Sequence, residues 1–462
     1  MKIFDTRSRK KVVLSPVRNH QIRIYLCGPT VYDYGHLGHG RSAIAFDLLR
    51  RYLKYRGYEI VFVRNWTDID DKTIGRAHSE GISVKELTEK FIKIYKEDFE
   101  KLNILPPDYD PKPTDHIPEI IDIVKRLFDG GHAYMLDDGV YFDIATFPRY
   151  GELSKQRLDE LKSGARVSVS GEKRNPGDFV LWKFEKPGDP SWESPWGRGR
   201  PGWHIECTAM SIKYLGAEFD IHCGGQDLIF PHHEDEIAQA KSAGYQYARH
   251  WMHNGFVNID NEKMSKSLGN FFTLREVFRT FSPLAVRFFL LSTHYRAPLN
   301  FSEDTLRQAD ATLKHYNDFI MRMTEIVHAT NSGREESSAV DRIIQKAREG
   351  FESGLDDDLN ISKSLAALSE LMHEINTRVK ENDFGQEDAQ KVLAFFKSVD
   401  TVLGVFSFEK EMLAEDIETL INARDAAREN RDYQKADRIR NKLLELGIAL
   451  EDTKEGTRWK KV

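Results

Sequence analysis

Residues 22–26, Ile-Arg-Ile-Tyr-Leu, form a short apolar run that predicts a buried strand, and a glycine-rich stretch from Cys27 to Arg41 follows it directly. Over residues 42–55 the spacing becomes helical, with Ile44, Leu48, Leu49 and Leu53 recurring on one side and Gly57 placed to end the helix. A second apolar run, Ile60-Val61-Phe62-Val63, completes a strand, turn, helix and strand, a βαβ unit that predicts a parallel sheet. Residues 112–202 have a different texture. Short strand-like runs such as 140–144 alternate with Gly, Pro and Trp clusters, and residues 186–202 read as loop, so an insertion within the sheet domain is expected. Phe219-Asp220-Ile221-His222, followed by Gly224-Gly225, resumes the α/β pattern.

From about Asp304 the period is helical. Leu306, Leu313, Tyr316, Ile320 and Met323 fall on one stripe, residues 361–379 give another helix, and residues 331–338 read as a polar connector. Residues 416–462 combine a basic amphipathic helix with a β-like end, and no internal repeat is found. The expected fold is α/β: a Rossmann-like parallel-sheet domain over residues 1–300 with its insertion at about 112–202, a helical bundle over 301–405, and a small C-terminal domain over 406–462.

Length supports several domains, because 462 residues exceed what one core usually serves. The longest apolar stretch, residues 283–292, is broken by Arg287 and falls far short of a membrane span of ~20 residues. The N-terminal residues are charged with no apolar segment behind them, so no secretory signal and no membrane association are expected, and a cytoplasmic protein is. Three cysteines, Cys27, Cys207 and Cys223, are too few and odd in number for a disulfide framework, which leaves reduced thiols or metal ligands. A net charge of −6 excludes a simple polybasic coat but not a nucleic-acid partner, since the local pattern decides.

Two short motifs carry candidate chemistry. His36-Leu37-Gly38-His39 lies between a strand and a helix start. Helix N-termini offer unpaired N–H groups to phosphate, Gly35 and Gly38 allow close backbone approach, and two histidines can donate to phosphate oxygens in a transition state. A glycine-rich turn with two surface histidines reads the same way. Lys263-Met264-Ser265-Lys266-Ser267, followed by Leu268-Gly269-Asn270, suits a loop that closes over a polyphosphate, and equally a solvated basic turn. A third group, Pro231-His232-His233-Glu234-Asp235-Glu236, opens on a residue preferred at the first helical position and sets His232 and Glu236 one helical turn apart. That pair is half of a four-ligand metal site, and two thiolates such as Cys27 and Cys207 would complete it. Spacing alone equally allows two small buried cysteines and an interior histidine.

Taken together, the first two motifs resemble the paired signatures of class I aminoacyl-tRNA synthetases. Leu37 stands where isoleucine is commoner in that family. The resemblance extends along nearly the whole chain to cysteinyl-tRNA synthetases, through the stretches 25–33, 65–72, 202–207 and 230–239. It implies zinc (Zn2+) held by Cys27, Cys207, His232 and Glu236, a cysteine pocket that includes Thr30, Trp203 and His222, and catalysis by His36, His39, Lys263 and Lys266. The implied ATP site is Gly35, Gly38, both histidines, and Lys263, Met264, Ser265, Lys266 and Ser267, with magnesium (Mg2+) accompanying ATP. The loop after Lys263 belongs to a region of about 251–300. Relatives often carry glycine where Cys223 stands, and Cys223 is expected to be an inert small residue.

The implied partners are ATP, L-cysteine and tRNA(Cys), the last held by the helices and the basic tail around Lys435, Arg438, Arg440, Lys442, Arg458 and Trp459; Asp356-Asp357-Asp358-Leu359-Asn360 matches the family's bundle. A monomer is expected. The reaction expected is activation of cysteine to its adenylate and transfer to the tRNA, with no protein nucleophile. Rival readings are a cysteine ligase with an amino-sugar acceptor, a silent RNA-binding paralogue, and a plain nucleotidyltransferase.

Overall fold

The structure is a computed structural model that describes residues 1–156, 173–259, 262–263, 271–328, 338–408, 415–453 and 456–461. These residues fall into two compact units, Met1–Phe406 and Ser407–Val462.

The first unit is built on a parallel sheet of four strands, Gln21–Leu26, Glu59–Arg64, Glu218–Gly225 and Tyr247–Asn254. The strand Gln21–Leu26 pairs with Glu59–Arg64 on one side and Glu218–Gly225 on the other, and Tyr247–Asn254 lies beyond the latter. The direction of winding therefore reverses between the first and third strands in chain order. In an open parallel sheet that reversal leaves a crevice at the carboxyl ends of the strands, where ligands bind. Strand Gln21–Leu26 is buried over most of its length, which explains its unbroken apolar character.

The helix after the first strand starts earlier than its apolar spacing predicts. It runs Leu37–Tyr55, with His36 as N-cap, so the His-Leu-Gly-His motif forms the first turn of the helix rather than a turn before it. A hydrogen-bonding imidazole at each end of the motif makes this possible: the His36 ring accepts from the Gly38 N–H at 3.1 Å. Gly57 follows the helix with φ 86°, a left-handed conformation that glycine adopts freely.

The insertion consists of the helix Ile117–Asp129 and an antiparallel sheet of Ala133–Leu136, Gly139–Phe142, Phe179–Phe184 and Gly199–Pro201. The last of these falls within the stretch read as loop. It is three residues long and ends on proline, which removes the alternation that marks a strand. Val140, Phe142, Leu181 and Trp182 share one core with Tyr25, Val63, Ile205 and Trp251, so insertion and parallel sheet are packed together.

Helices Glu303–His328, Ser338–Asp356, Ile361–Lys380 and Gln386–Leu403 follow, and Leu306, Leu313, Tyr316, Ile320 and Met323 are all buried, as their spacing predicts. The polar connector, apart from Ser338, lies outside the described residues. Two junctions tie this bundle to the sheet domain. In the first, Asp47 of the helix Leu37–Tyr55 receives Arg51 Nε at 2.8 Å, Arg287 Nη2 at 2.6 Å and the Leu105 N–H at 3.0 Å. Arg287, wholly buried, also donates through Nε to the Leu403 carbonyl at 2.7 Å. In the second, Asp358 and Leu359 adopt φ of 63° and 55°. The buried Asp358 carboxylate accepts from the Phe4 N–H, the Tyr295 hydroxyl and Arg296 Nε, each at 2.8 Å. Its own N–H donates to the Lys2 carbonyl at 2.9 Å.

The second unit pairs helices Glu415–Glu429 and Tyr433–Glu445 with a hairpin, Ile448–Thr453 and Gly456–Lys461. Ile421, Leu443, Ile448 and Leu450 form its core, against which Trp459 packs.

Candidate active site and metal centre

A cavity of about 610 Å³ opens at the carboxyl ends of the parallel strands. It is lined by residues 26–30 after the first strand, Gly225, Asp227 and Leu228 after the third, and Asn254, Gly255, Phe256 and Val257 after the fourth, together with His36, Gly38 and His39. Of the residues singled out in the sequence, Cys27, Thr30, Trp203, His36, Gly38 and His39 line it. Lys263 is placed only as the end of a short strand, Glu262–Lys263; Met264, Ser265, Lys266 and Ser267 lie outside the described residues.

The bottom of the site is a donor cluster. Ligand atoms of Cys27, Cys207, His232 and Glu236 all lie within 4.8 Å of one another, and a second grouping replaces Cys207 and His232 by His222 and His233. Cys27 Sγ is 3.6 Å from Cys207 Sγ and 3.5 Å from Glu236 Oε1, and His232 Nε2 is 3.1 Å from the same oxygen. Those separations suit the edges of a tetrahedron around a zinc ion with metal–sulfur bonds of ~2.3 Å. Two thiols with an imidazole and a carboxylate are also a donor chemistry that suits zinc. In the second grouping His222 Nε2 lies 2.8 Å from Glu236 Oε2, within hydrogen-bond reach of the other carboxylate oxygen from the one Cys27 meets. The first grouping therefore fits four ligands, with His222 orienting one of them.

Protonation follows the same division. The Cys207 thiol is lowered to about 6, first because Cys27 donates to it. Burial and the neighbouring Cys207 hold Cys27 well above the usual thiol range. Burial pushes Glu236 up, but the His222 and His232 rings and the Tyr247 hydroxyl outweigh it and its carboxyl stays low. Tyr247 donates to Glu236 Oε2 at 2.6 Å and His222 faces the same oxygen. His232 is braced in turn: its Nδ1 meets His204 Nδ1 at 2.9 Å, and His204 Nε2 is 3.3 Å from Asp235 Oδ2.

Local structure delivers these groups from the expected helix start at Pro231, with a kink just before it. The regular helix is Glu234–Ser242; Ile229–His233 is a wider turn in which Phe230 is extended, at φ −141° and ψ 133°, and the Phe230–Pro231 bond is cis. Helical backbone thus begins at Pro231 and continues into Glu234–Ser242, so that His232 and Glu236 meet one turn apart at 3.1 Å. Gly28 sits where a side chain cannot: a Cβ there would lie 1.7 Å from the Asn65 carbonyl oxygen. Trp203 stacks on His232 with ring centroids 4.3 Å apart and remains 38% exposed, so one face packs on a donor while the rest borders the cavity. Cys223 is buried and belongs to neither donor grouping. As the neighbour of His222 in a strand, it points to the opposite face of the sheet.

Residues that the motifs do not mark also line the cavity, Asp227, Asn254, Arg64 and Tyr95, beside Lys72 at the end of the family-like stretch 65–72. The positions of Asp227, just beyond one strand, and of Asn254, at the last residue of the next, are the available signal for these two. Tyr95 lies on the helix Val84–Lys101, whose Leu87, Phe91, Tyr95 and Phe99 recur every fourth position and are buried. The chain beyond the Lys-Met-Ser-Lys-Ser motif returns to the signature turn: the Leu37 N–H donates to the Phe272 carbonyl at 3.4 Å and the Leu274 N–H to the Gly35 carbonyl at 2.8 Å.

Comparison with known proteins places these features in a family. The description "tRNA synthetases class I (C) catalytic domain" matches residues 13–311, "DALR domain" matches 350–407, and "Cysteinyl-tRNA ligase anticodon binding domain" matches 411–459. A cysteine–tRNA ligase of Thermococcus onnurineus is 47% identical over 472 residues, covering 100% of this chain and 99% of the relative. One from Clostridioides difficile is 46% identical over 470 residues, with both chains covered in full (100% and 100%). In structure, Mycobacterium tuberculosis methionyl-tRNA synthetase in complex with methionyl-adenylate superposes with a TM-score of 0.62 at 16% identity, covering 83% of this chain and 89% of that one, a likeness of fold. Matched end to end by such relatives, the chain belongs to the cysteine–tRNA ligase family of class I aminoacyl-tRNA synthetases.

Proposed function

We propose that the protein activates L-cysteine with ATP and transfers it to tRNA(Cys). The observation that carries this reading is the donor cluster of two thiols, an imidazole and a carboxylate beside a helix N-terminus capped by two histidines. Cys27, Cys207, His232 and Glu236 would hold zinc, which when bound takes a thiol sulfur far more readily than a serine hydroxyl. A purely hydrophobic pocket separates such near-isosteres only modestly.

Thr30 and Trp203, which line the cavity, border the cysteine; His222, expected beside them, is wholly buried and would bear on the pocket through Glu236. The carboxylate of the cysteine attacks the α-phosphate of ATP in line, and pyrophosphate departs. Gly35 and Gly38 let the nucleotide approach the backbone, and the positive end of the helix Leu37–Tyr55, whose first N–H groups are capped by His36 and Phe272, favours the phosphates through its dipole. His36 and His39, with Lys263, Met264, Ser265, Lys266 and Ser267 of the loop and a magnesium ion, stabilise the charge that accumulates there. The terminal ribose hydroxyl of the tRNA then attacks the activated carbonyl. Residues 1–300 carry this chemistry, residues 301–405 form the bundle, and residues 406–462 contact the tRNA. The family match over residues 411–459 supports tRNA, rather than an amino sugar, as acceptor. Among the described residues no helix is long and apolar enough to cross a membrane. We infer a cytoplasmic monomer, and the molar mass in light scattering tests the monomer.

Exchange of labelled pyrophosphate into ATP tests the reaction. Cysteine should support it and serine should not; equal exchange with both would sink the thiol-selective metal site. A Tyr247→Phe change should weaken metal retention by about 10–100-fold, because it removes a donor that orients Glu236. Competition with a chromophoric chelator reads this, and unchanged retention would remove Tyr247 from the site.

A further inference from the structure

The ring of His39 is gripped at one nitrogen by two donors. The His36 backbone N–H points at His39 Nδ1 from 3.3 Å, and the Tyr95 hydroxyl lies 3.1 Å from the same atom. A backbone N–H can only donate, so Nδ1 is an acceptor there. A neutral imidazole then carries its proton on Nε2. The opposite tautomer would aim an Nδ1–H at the His36 N–H and leave a helix-capping donor without its partner, at a cost in a half-buried site. Burial holds the Tyr95 hydroxyl well above its usual range, so it keeps its proton and donates as well.

Tyr95 is fixed to do this. Its ring is almost wholly buried, packed on Trp66 at 5.8 Å and Phe99 at 5.7 Å between centroids, and lies edge-on to His39. A Cβ on Gly35 would come within 2.9 Å of Tyr95 Cε1, so the signature turn rests directly on this ring. Arg275 anchors the helix that carries Tyr95, reaching Asp98 at 3.0 Å and Glu97 at 2.6 Å from the segment after the Lys-Met-Ser-Lys-Ser motif. The His36 ring is treated alike: its Nδ1 accepts from the Gly38 N–H at 3.1 Å, and the two imidazoles stack with centroids 3.6 Å apart.

We propose that Tyr95 is a positioning residue for adenylate formation, its hydroxyl joining the His36 N–H to hold His39 in the Nε2–H tautomer, the one able to donate to a phosphate oxygen. This rests on the reading of His39 as a phosphate-contacting group. The metal cluster and the cysteine pocket are not involved.

The test is a double-mutant cycle on the full-length, zinc-replete protein, read by cysteine-dependent pyrophosphate exchange. Tyr95→Phe should lower kcat by about three- to tenfold, the worth of one hydrogen bond in the transition state, with KM for ATP and cysteine changed by less than about twofold. In a His39→Gln background, where the side chain offers an N–H donor without an imidazole to orient, Tyr95→Phe should cause no further loss. Two-bond proton–nitrogen spectra of protein labelled with 15N-histidine, with His39 identified by its absence in His39→Gln, should show the Nε2–H tautomer in the parent. An Nδ1–H tautomer, or a loss from Tyr95→Phe of equal size in both backgrounds, overturns the proposal. A His39→Gln variant as active as the parent overturns the reading of His39 itself, and this inference with it.

Discussion

Replacement of Cys207 by serine should lower kcat/KM for cysteine by well over the ~100-fold that losing an outer hydrogen-bond partner of a metal ligand can cost. ATP binding should change little. Cys207 is the donor most disposed to be a thiolate at neutral pH, lowered to about 6 by the hydrogen bond from Cys27. A serine hydroxyl does not ionise in that range and is a poor ligand for a borderline-soft metal. The remaining three donors would then face one another with a carboxylate and an imidazole 3.1 Å apart and a lone thiol. Metal analysis of the purified variant should show zinc reduced from one per chain, and pyrophosphate exchange should fail with cysteine while equilibrium dialysis still detects ATP. Unaltered exchange would place the cysteine-reading group elsewhere.

The second large effect is expected far from that cluster. Asp47→Ala should destabilise the first unit by about 3–5 kcal/mol, the cost of leaving buried charge without its partner. Its carboxylate is met by two guanidinium groups and a backbone N–H, and Arg287 is wholly buried. Burial already lowers Arg287 from the usual guanidinium range, with Asp47 opposing that shift. Without Asp47 the two cations would keep, among the described residues, carbonyl acceptors at Leu102, Asn103, Thr401 and Leu403 and the longer-range attraction of the Asp400 carboxylate. Asp47→Asn, which keeps an acceptor oxygen but not the charge, should cost less. Urea unfolding of the two variants followed by tryptophan fluorescence measures this, and midpoints equal to the parent's would show the junction to be energetically idle.

The contrast between these two regions explains what was legible in the sequence. Parallel strands announced themselves because a strand buried on both faces is a short apolar run, and the bundle did because its apolar positions recur every third or fourth residue. Of the donor cluster, the one-turn spacing of His232 and Glu236 was readable locally, whereas Cys27 and Cys207, far off in the chain, were singled out from the alternative of small buried residues only by family resemblance. Arg287 looked like a flaw in an apolar stretch, because nothing in sequence marks a charge whose counterion is 240 residues away. Tyr95 was hidden by its own regularity, as one apolar position among four in a helical stripe. Pro231 was a sound local signal: the extended Phe230 ends just before it, and the helical backbone that follows sets His232 one turn from Glu236.

Asp358 also bears on how the chain is made. The Phe4 N–H and the Lys2 carbonyl find their partners only at a residue some 354 positions later. A growing polypeptide therefore cannot complete its first few residues until the middle of the helical bundle has emerged from the ribosome. Local helices form in microseconds, but a closure of this span waits on synthesis at ~5–20 residues per second. The sheet domain thus spends its early life with its leading edge unfinished. Shortened chains that stop before residue 358 would retain that edge permanently, with Tyr295 and Arg296 facing an empty position, and would be candidates for recognition by chaperones or proteases.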